Sequence, residues 1–144
     1  MESIHENVTK VEVKARKRCR DRIDMLKSRV ELLTGRDRML MTMYLRNGNT
    51  FYQMARLTGV NEANVARRIY RVTKRLIDGE YITCLRNRDK FSEAEMTVAK
   101  DYFLRGLSIK KIAGRRKLSY YRVREILKKI QSLITVIDAE KTSV

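Results

Sequence analysis

The chain has no proline, no tryptophan, one histidine, two cysteines and only six glycines in 144 residues. Without proline, and with no sustained alternation of β-branched residues, an all-α protein is expected. His5 is the lone histidine, and Cys19 and Cys84 lie far apart, so no Cys/His set is spaced to hold zinc. Both thiols read as small core residues of a reducing cytosol. No apolar run approaches 18 residues and no signal-peptide pattern opens the chain, so neither a membrane span nor a secretory leader is expected. Clustered carboxylates, which metal-dependent nucleases and recombinases need, are also missing. The acids are scattered, several of them at helix starts (Asp37, Glu93, Glu95), and the glycine runs GRDR, GVNE and GRRK lack the spacing of a phosphate loop. The expectation is a protein that is not an enzyme and carries no metal or cofactor.

Positive charge is what the chain does have. Lys and Arg number 33 against 17 Asp and Glu, a formal net charge of +16. Such an excess favours a polyanionic partner, most often nucleic acid. At 43% hydrophobic content there is enough apolar surface for one core or two small ones, built mainly on Leu, Ile, Val, Met and Tyr.

The first seven residues are polar and are expected to fray, with a helix from about Val8 to Val30. Ala15, Cys19, Ile23, Leu26, Val30 and Leu33 recur at three- and four-residue steps and make one apolar seam. The stretch KARKRCRDR, Lys14 to Arg22, puts six basic residues around it. The seam reads as a docking face for the following domain; a dimerisation seam giving a homodimer, or an arm along the DNA backbone, are the alternatives. It is short for a stable coiled coil. Thr34 and Asp37 stand at capping-box spacing, opening a helix to about Arg46 with Leu40, Tyr44 and Leu45 inward, and Asn47-Gly48 closes it.

The sharpest motif runs from Thr50 to Leu76. Thr50 caps a short helix, the small Ala55 allows close helix crossing, and Gly59 can take the left-handed conformation that ends the helix. A longer helix follows from Asn61. Its inner face is Val65, Ile69, Val72 and Leu76; its outer face is Asn61, Glu62, Ala63, Asn64, Arg67, Arg68 and Arg71. A helix apolar on one side and rich in Arg and amides on the other suits major-groove reading, and the shape is a helix-turn-helix. Arg pairs with guanine and Asn with adenine, so Arg67 and Asn64 are the leading base readers. Lys74 and Arg75 suit phosphate or nothing.

The pattern then repeats. A shift of 58 residues overlays Leu33-Thr34 on Phe91-Ser92, Tyr44 on Tyr102, Gly48 on Gly106, Thr50 on Ser108 and Met54-Ala55 on Ile112-Ala113. The inner-face residues Val65, Ile69, Val72 and Leu76 fall on Val123, Leu127, Ile130 and Ile134. Two copies of one helical domain follow. The expected order is a basic N-terminal helix (1–31), a first helix-turn-helix domain (32–79), an ordered linker (80–90), a second domain (91–137) and a tail (138–144). In the second copy Ser92 and Glu95 repeat the capping box, with Phe91 and Met96 as a hydrophobic staple. Lys117 replaces the turn glycine, so that turn is expected to be tighter or irregular. Residues 86–131 carry a net +9 against +6 for 34–79, so backbone grip should lean on the second copy. Arg115, Arg116 and Lys117 lie in the turn and suit phosphate.

LTGRDR at Leu33 to Arg38, Asn47-Gly48-Asn49-Thr50, and MARLTGV leading into the basic helix resemble bacterial sigma factors. The likeness is to the promoter-reading region 4 of the sigma-70 group and its four-helix form; it covers about 32–77 well and 91–134 more loosely. It implies DNA contact by Asn61, Glu62, Ala63, Asn64, Arg67, Arg68 and Arg71. In the second copy it implies Ser119, Tyr120, Tyr121, Arg122, Arg124 and Glu125. Thr50 and Ser108, at helix N-termini, would meet phosphate, with Gln53, Lys110 and Lys111 beside them. For Tyr120 and Tyr121 two readings stay open, one ring on the core and one against a thymine methyl or phosphate. The promoter-melting segment of a sigma factor is missing, so a stand-alone transcriptional regulator fits better, with RNA polymerase as a further partner.

The resulting expectation is an all-α, cytoplasmic, nucleoid-associated protein that binds double-stranded DNA in a sequence-specific way. The alternatives are non-specific binding to nucleic acid, an adaptor whose second copy binds protein, and the DNA-binding module of a mobile-element recombinase.

Overall fold

The computed structural model describes the backbone of residues 2–142 and the side chains of residues 10–142, and the chain is all-α, with no strand among the described residues. The helices are α1 (Glu2–Val30), α2 (Gly35–Leu45), α3 (Phe51–Thr58), α4 (Glu62–Asp78), α5 (Glu80–Arg86), α6 (Glu93–Ala99), α7 (Ile109–Arg116) and α8 (Tyr120–Thr142). A short 3-10 turn, Arg88–Lys90, precedes α6, and a π-turn, Lys100–Leu104, continues it. No helix among the described residues is long and apolar enough to cross a membrane. The chain forms two compact units that divide between Thr73 and Lys74, inside α4.

In the first unit the last turns of α1 pack on α2, and α2 packs on α3. Leu26, Val30 and Leu33 are buried, but Ala15, Cys19 and Ile23, upstream on the same seam, are exposed. The seam is therefore sealed only at its C-terminal end. Residues 10–24 of α1 stand in solvent with seven basic and three acidic side chains. The helix starts at Glu2 rather than near Val8, so the expected frayed start is helical in its backbone; the side chain of His5 lies outside the described residues.

α2 departs from its sequence reading in two ways. Thr34 makes no side-chain cap, because Gly35 takes a left-handed φ of 62° and the chain enters the helix from a different direction. Asp37 accepts instead from Arg68. The inward places belong to Leu40 and Met41, whereas Tyr44 lies at the surface and stacks on Phe51, ring centroids 5.5 Å apart. Phe51 in turn meets Tyr70 edge-on at 6.0 Å.

The second unit is built on one apolar cluster, in which Cys84, Ala99, Ile112, Val123 and Ile130 are the most deeply enclosed members. Here the capping box forms as expected: Ser92 Oγ accepts from Glu95 N–H at 3.1 Å and Glu95 Oε1 accepts from Ser92 N–H at 2.8 Å. Phe91 and Met96, the staple pair, are both buried in the cluster. Burial works against ionisation of Glu95, but the Ser92 N–H and the Lys129 ammonium outweigh it and hold the carboxyl below its usual range. Its contribution to stability is complete above the ordinary carboxylate range and is lost as pH falls through the lowered value.

The 58-residue shift recurs in backbone geometry. α2 and α6 begin at Gly35 and Glu93, α3 and α7 at Phe51 and Ile109, and α4 and α8 at Glu62 and Tyr120. Asn49 N–H donates to Met43 C=O, and Leu107 N–H to Asp101 C=O, closing the same wide turn around Gly48 and Gly106 (φ 65° and 69°). The correspondence also extends upstream, where sequence alone did not place it. The segment 80–90 is not simply a linker: α5 occupies the place of the last turns of α1, and the fully buried Cys84 stands at the position of Leu26. At the other end α8 continues to Thr142, with Ile137 still buried, so most of the expected tail is helix.

The two thiols thus differ. Cys84 is in the core, and burial, with the nearby Glu80 carboxylate, pushes its pKa up to about 11, whereas Cys19 is exposed and is not the core residue expected of it. A thiol reagent at mildly alkaline pH should label one cysteine of the native protein rapidly, mapping to Cys19, and both after denaturation. Equal labelling rates for the two in the native state would contradict this packing.

Candidate nucleic-acid interface

Each unit presents a short capped helix, a tight turn and a longer basic helix. In the first, Thr50 Oγ1 accepts from Gln53 N–H at 3.1 Å and Gln53 Oε1 accepts from Thr50 N–H at 2.9 Å. This reciprocal box gives Gln53 a structural role that the sequence reading had not assigned to it. The N–H groups of Phe51 and Tyr52, in the same first turn, have no intrahelical acceptor, which is what makes a helix start attractive to an anion. In the second unit Ser108 Oγ accepts from Lys111 N–H at 3.2 Å. A lysine there cannot return the bond, so Lys110 and Lys111 both stand exposed beside the helix start.

The turns match. Gly59 sits at φ 73°, ψ 11° and donates its N–H to Ala55 C=O at 2.9 Å. Lys117 sits at φ 57°, ψ 41° and donates to Ala113 C=O. The turn that lacks glycine keeps the left-handed cap, on the one non-glycine residue at positive φ among those described, and Leu118 N–H adds a bond to Ala113 C=O at 3.0 Å where Val60 N–H turns to Thr58 Oγ1 at 3.4 Å. Holding an L-residue there costs on the order of 1–2 kcal/mol.

The longer helices start on matching caps. Asn61 Oδ1 accepts from Ala63 N–H at 2.8 Å, and Ser119 Oγ accepts from Arg122 N–H at 3.0 Å. Both residues, expected at the DNA, thus spend a side-chain oxygen on their own helix. Below them Val65, Ile69, Val72 and Leu76 are buried along α4, and Val123, Leu127, Ile130 and Ile134 along α8. Buried inner faces fix the rotation of each helix and therefore which residues look outward.

On α4 the expected contact residues Glu62, Ala63, Asn64, Arg67, Arg68 and Arg71 are all exposed, as are Tyr70, Lys74, Ile77 and Asp78. The side chains of Asn64 and Arg67, one turn apart, make no hydrogen bond or ion pair with any described residue. Arg68 is different: its Nε donates to Asp37 Oδ1 at 2.8 Å, across 31 residues of sequence, and ties α4 to α2. Arg71 makes a further interaction of its own within the chain. On α8, Tyr120 and Tyr121 are both exposed, so neither ring packs on the core. Arg122 and Arg124 are exposed as well. Arg122 Nη1 lies 3.9 Å from Glu125 Oε2, and the nearby Glu125 carboxylate pushes the Tyr121 phenol pKa up.

Arg115 and Arg116 are both exposed, but the Arg116 guanidinium reaches a buried acid. Its Nε and Nη2 donate to the two oxygens of Asp101 at 2.8 and 3.1 Å, and Arg105 Nη1 approaches the same carboxylate at 3.4 Å. Asp101 is fully buried, and its grip raises the Arg116 pKa above the ordinary arginine value. The clamp joins the end of α7 to the π-turn. Position 43 of the first unit, its counterpart, is Met43, so the clamp belongs to the second unit alone.

One basic side chain on the outer surface was missed in the sequence. Arg56, on α3, lies over the Tyr52 ring at 5.8 Å and donates to its hydroxyl at 3.1 Å. The four-residue spacing of Tyr52 and Arg56 was the available signal.

No protein-family model matches the chain, and no curated protein and no solved structure matches it either.

Replacing Lys117 with Gly should raise stability by about 1 kcal/mol, read as a higher denaturant midpoint at unchanged slope, and Gly59→Ala should lower it by about as much. An unchanged midpoint for Lys117→Gly would show that the lysine is unstrained.

Proposed function

We propose that the chain is a sequence-specific double-stranded DNA-binding protein acting in transcription regulation, built on two helix-turn-helix units of the sigma-70 region 4 type. α4 and α8 are the major-groove helices. α3 and α7 lay their capped starts against phosphate, with Lys110, Lys111 and Arg115 contributing charge. The observation that carries the reading is on α4: one face is closed by Val65, Ile69, Val72 and Leu76, while Asn64 and Arg67 stand exposed and unengaged on the other. An unpaired guanidinium and amide on a rigid helix face match the donor and acceptor pattern of guanine and adenine edges in the major groove. The net charge of +16 supports the same partner through phosphate attraction.

The same charge supports non-specific binding, and a single substitution series separates the two. Arg67→Ala or Asn64→Ala should each weaken binding to a selected duplex by about 1–3 kcal/mol while leaving random duplex almost unchanged at the same salt. Equal losses on both duplexes would leave these residues as phosphate contacts and favour non-specific binding.

A further inference from the structure

The two outward faces occupy the same register but carry different chemistry. α4 and α8 begin 58 residues apart, on Asn61 and Ser119 caps, and bury matched inner faces. The place of Asn64 is then taken by Arg122, and the place of Arg67 by Glu125. All four side chains are exposed. In the first unit the pair is an amide and a guanidinium; in the second it is a guanidinium and a carboxylate.

Glu125 is the unexpected member. It is an acid on the outer face of a helix whose other exposed charges near its start, Arg122, Arg124, Lys128 and Lys129, are all basic. Against phosphate alone it would only repel. Against a base edge it has a use, because a carboxylate accepts from the N4 amino group of cytosine while an arginine on the same face donates to guanine O6 and N7. The pair is also positioned for this. Arg122 Nη1 lies 3.9 Å from the carboxylate, one turn away on the same exposed face, so the two side chains stand side by side without being buried.

Resting on the DNA-binding reading above, we infer that the two units read unlike half-sites, so that the target is an asymmetric bipartite sequence. α4 selects an adenine and a guanine through Asn64 and Arg67. α8 selects a guanine and a cytosine through Arg122 and Glu125. Glu125 is the residue that determines specificity in the second half-site.

The test is selection from random DNA duplexes with the full chain, sequenced for the wild type and for Glu125→Ala, Glu125→Gln and Arg67→Ala. Both positions are exposed, so folding should survive, and circular dichroism checks it. The wild type should enrich two different half-sites. Glu125→Ala should lose preference at one cytosine and leave the other half-site intact. Glu125→Gln should shift that column toward adenine, since glutamine pairs with adenine. Arg67→Ala should lose one guanine in the opposite half-site. Two identical half-sites, or a single one, would overturn the inference while leaving the DNA-binding reading standing. So would a Glu125→Ala protein that binds every duplex more tightly by the same factor, because the acid would then merely repel phosphate. Enrichment of no motif by the wild type would overturn both.

Discussion

The left-handed residue between the two helices of each unit is the constraint on which the surface depends. Gly59 and Lys117 end one helix and turn the chain into the next within three residues, through the same N–H bond back to an alanine carbonyl. Ala55 and Ala113, which supply those carbonyls, carry the small side chains that allow the helices to approach. With the turn set, the inner faces of α4 and α8 have one way to bury, and burial decides which residues are left outside. The turn therefore acts on function through packing. A change at Gly59 would not touch a ligand but would rotate or loosen the helix that carries Asn64 and Arg67.

Acids placed at the start of α2 and α6 each engage a basic residue of the long helix that stays exposed. Asp37 holds Arg68, and Glu95 holds Lys129 at 3.2 Å. The two acids are the third residues of their helices, 58 positions apart, yet they do different local work. Glu95 completes a capping box and Asp37 does not, because Gly35 redirects the chain before it. Exposed ion pairs add little stability on their own. The enclosed acids here matter more for direction, since each gives an exposed basic side chain a partner within the fold. The Asp101 clamp does the same for Arg116.

Much of this was legible in the sequence because helical order in this chain rests on local signals. The caps at Thr50, Ser92 and Ser108, the stop glycines at 48, 59 and 106, and the inner-face spacing of α4 and α8 all appear where spacing places them. What was not legible depends on partners distant in sequence. Arg68 looks like any outward arginine until Asp37 is brought beside it, and Arg116 looks like a phosphate ligand until the π-turn delivers Asp101. The segment 80–90 reads as an ordered linker because the seven residues of α5 give too short a pattern to show a helix, and Cys84 is an unusual substitute for Leu26. Tyr44 was misplaced because an aromatic at helical spacing can stack on a surface neighbour as readily as fill a core, and Met41 filled the core instead. For α1 the seam continues past the point where there is anything to pack on, which spacing cannot reveal.

Specific recognition of duplex DNA is the central claim, and competition binding at one fixed, near-physiological salt concentration tests it most directly. A labelled duplex carrying the selected sequence is challenged with unlabelled copies of itself and with random duplex of the same length. The selected duplex should compete at least about 10³-fold better, the lower end of specificity for proteins that read bases. Equal competition by the two would mean that the charge of this chain holds DNA without reading it.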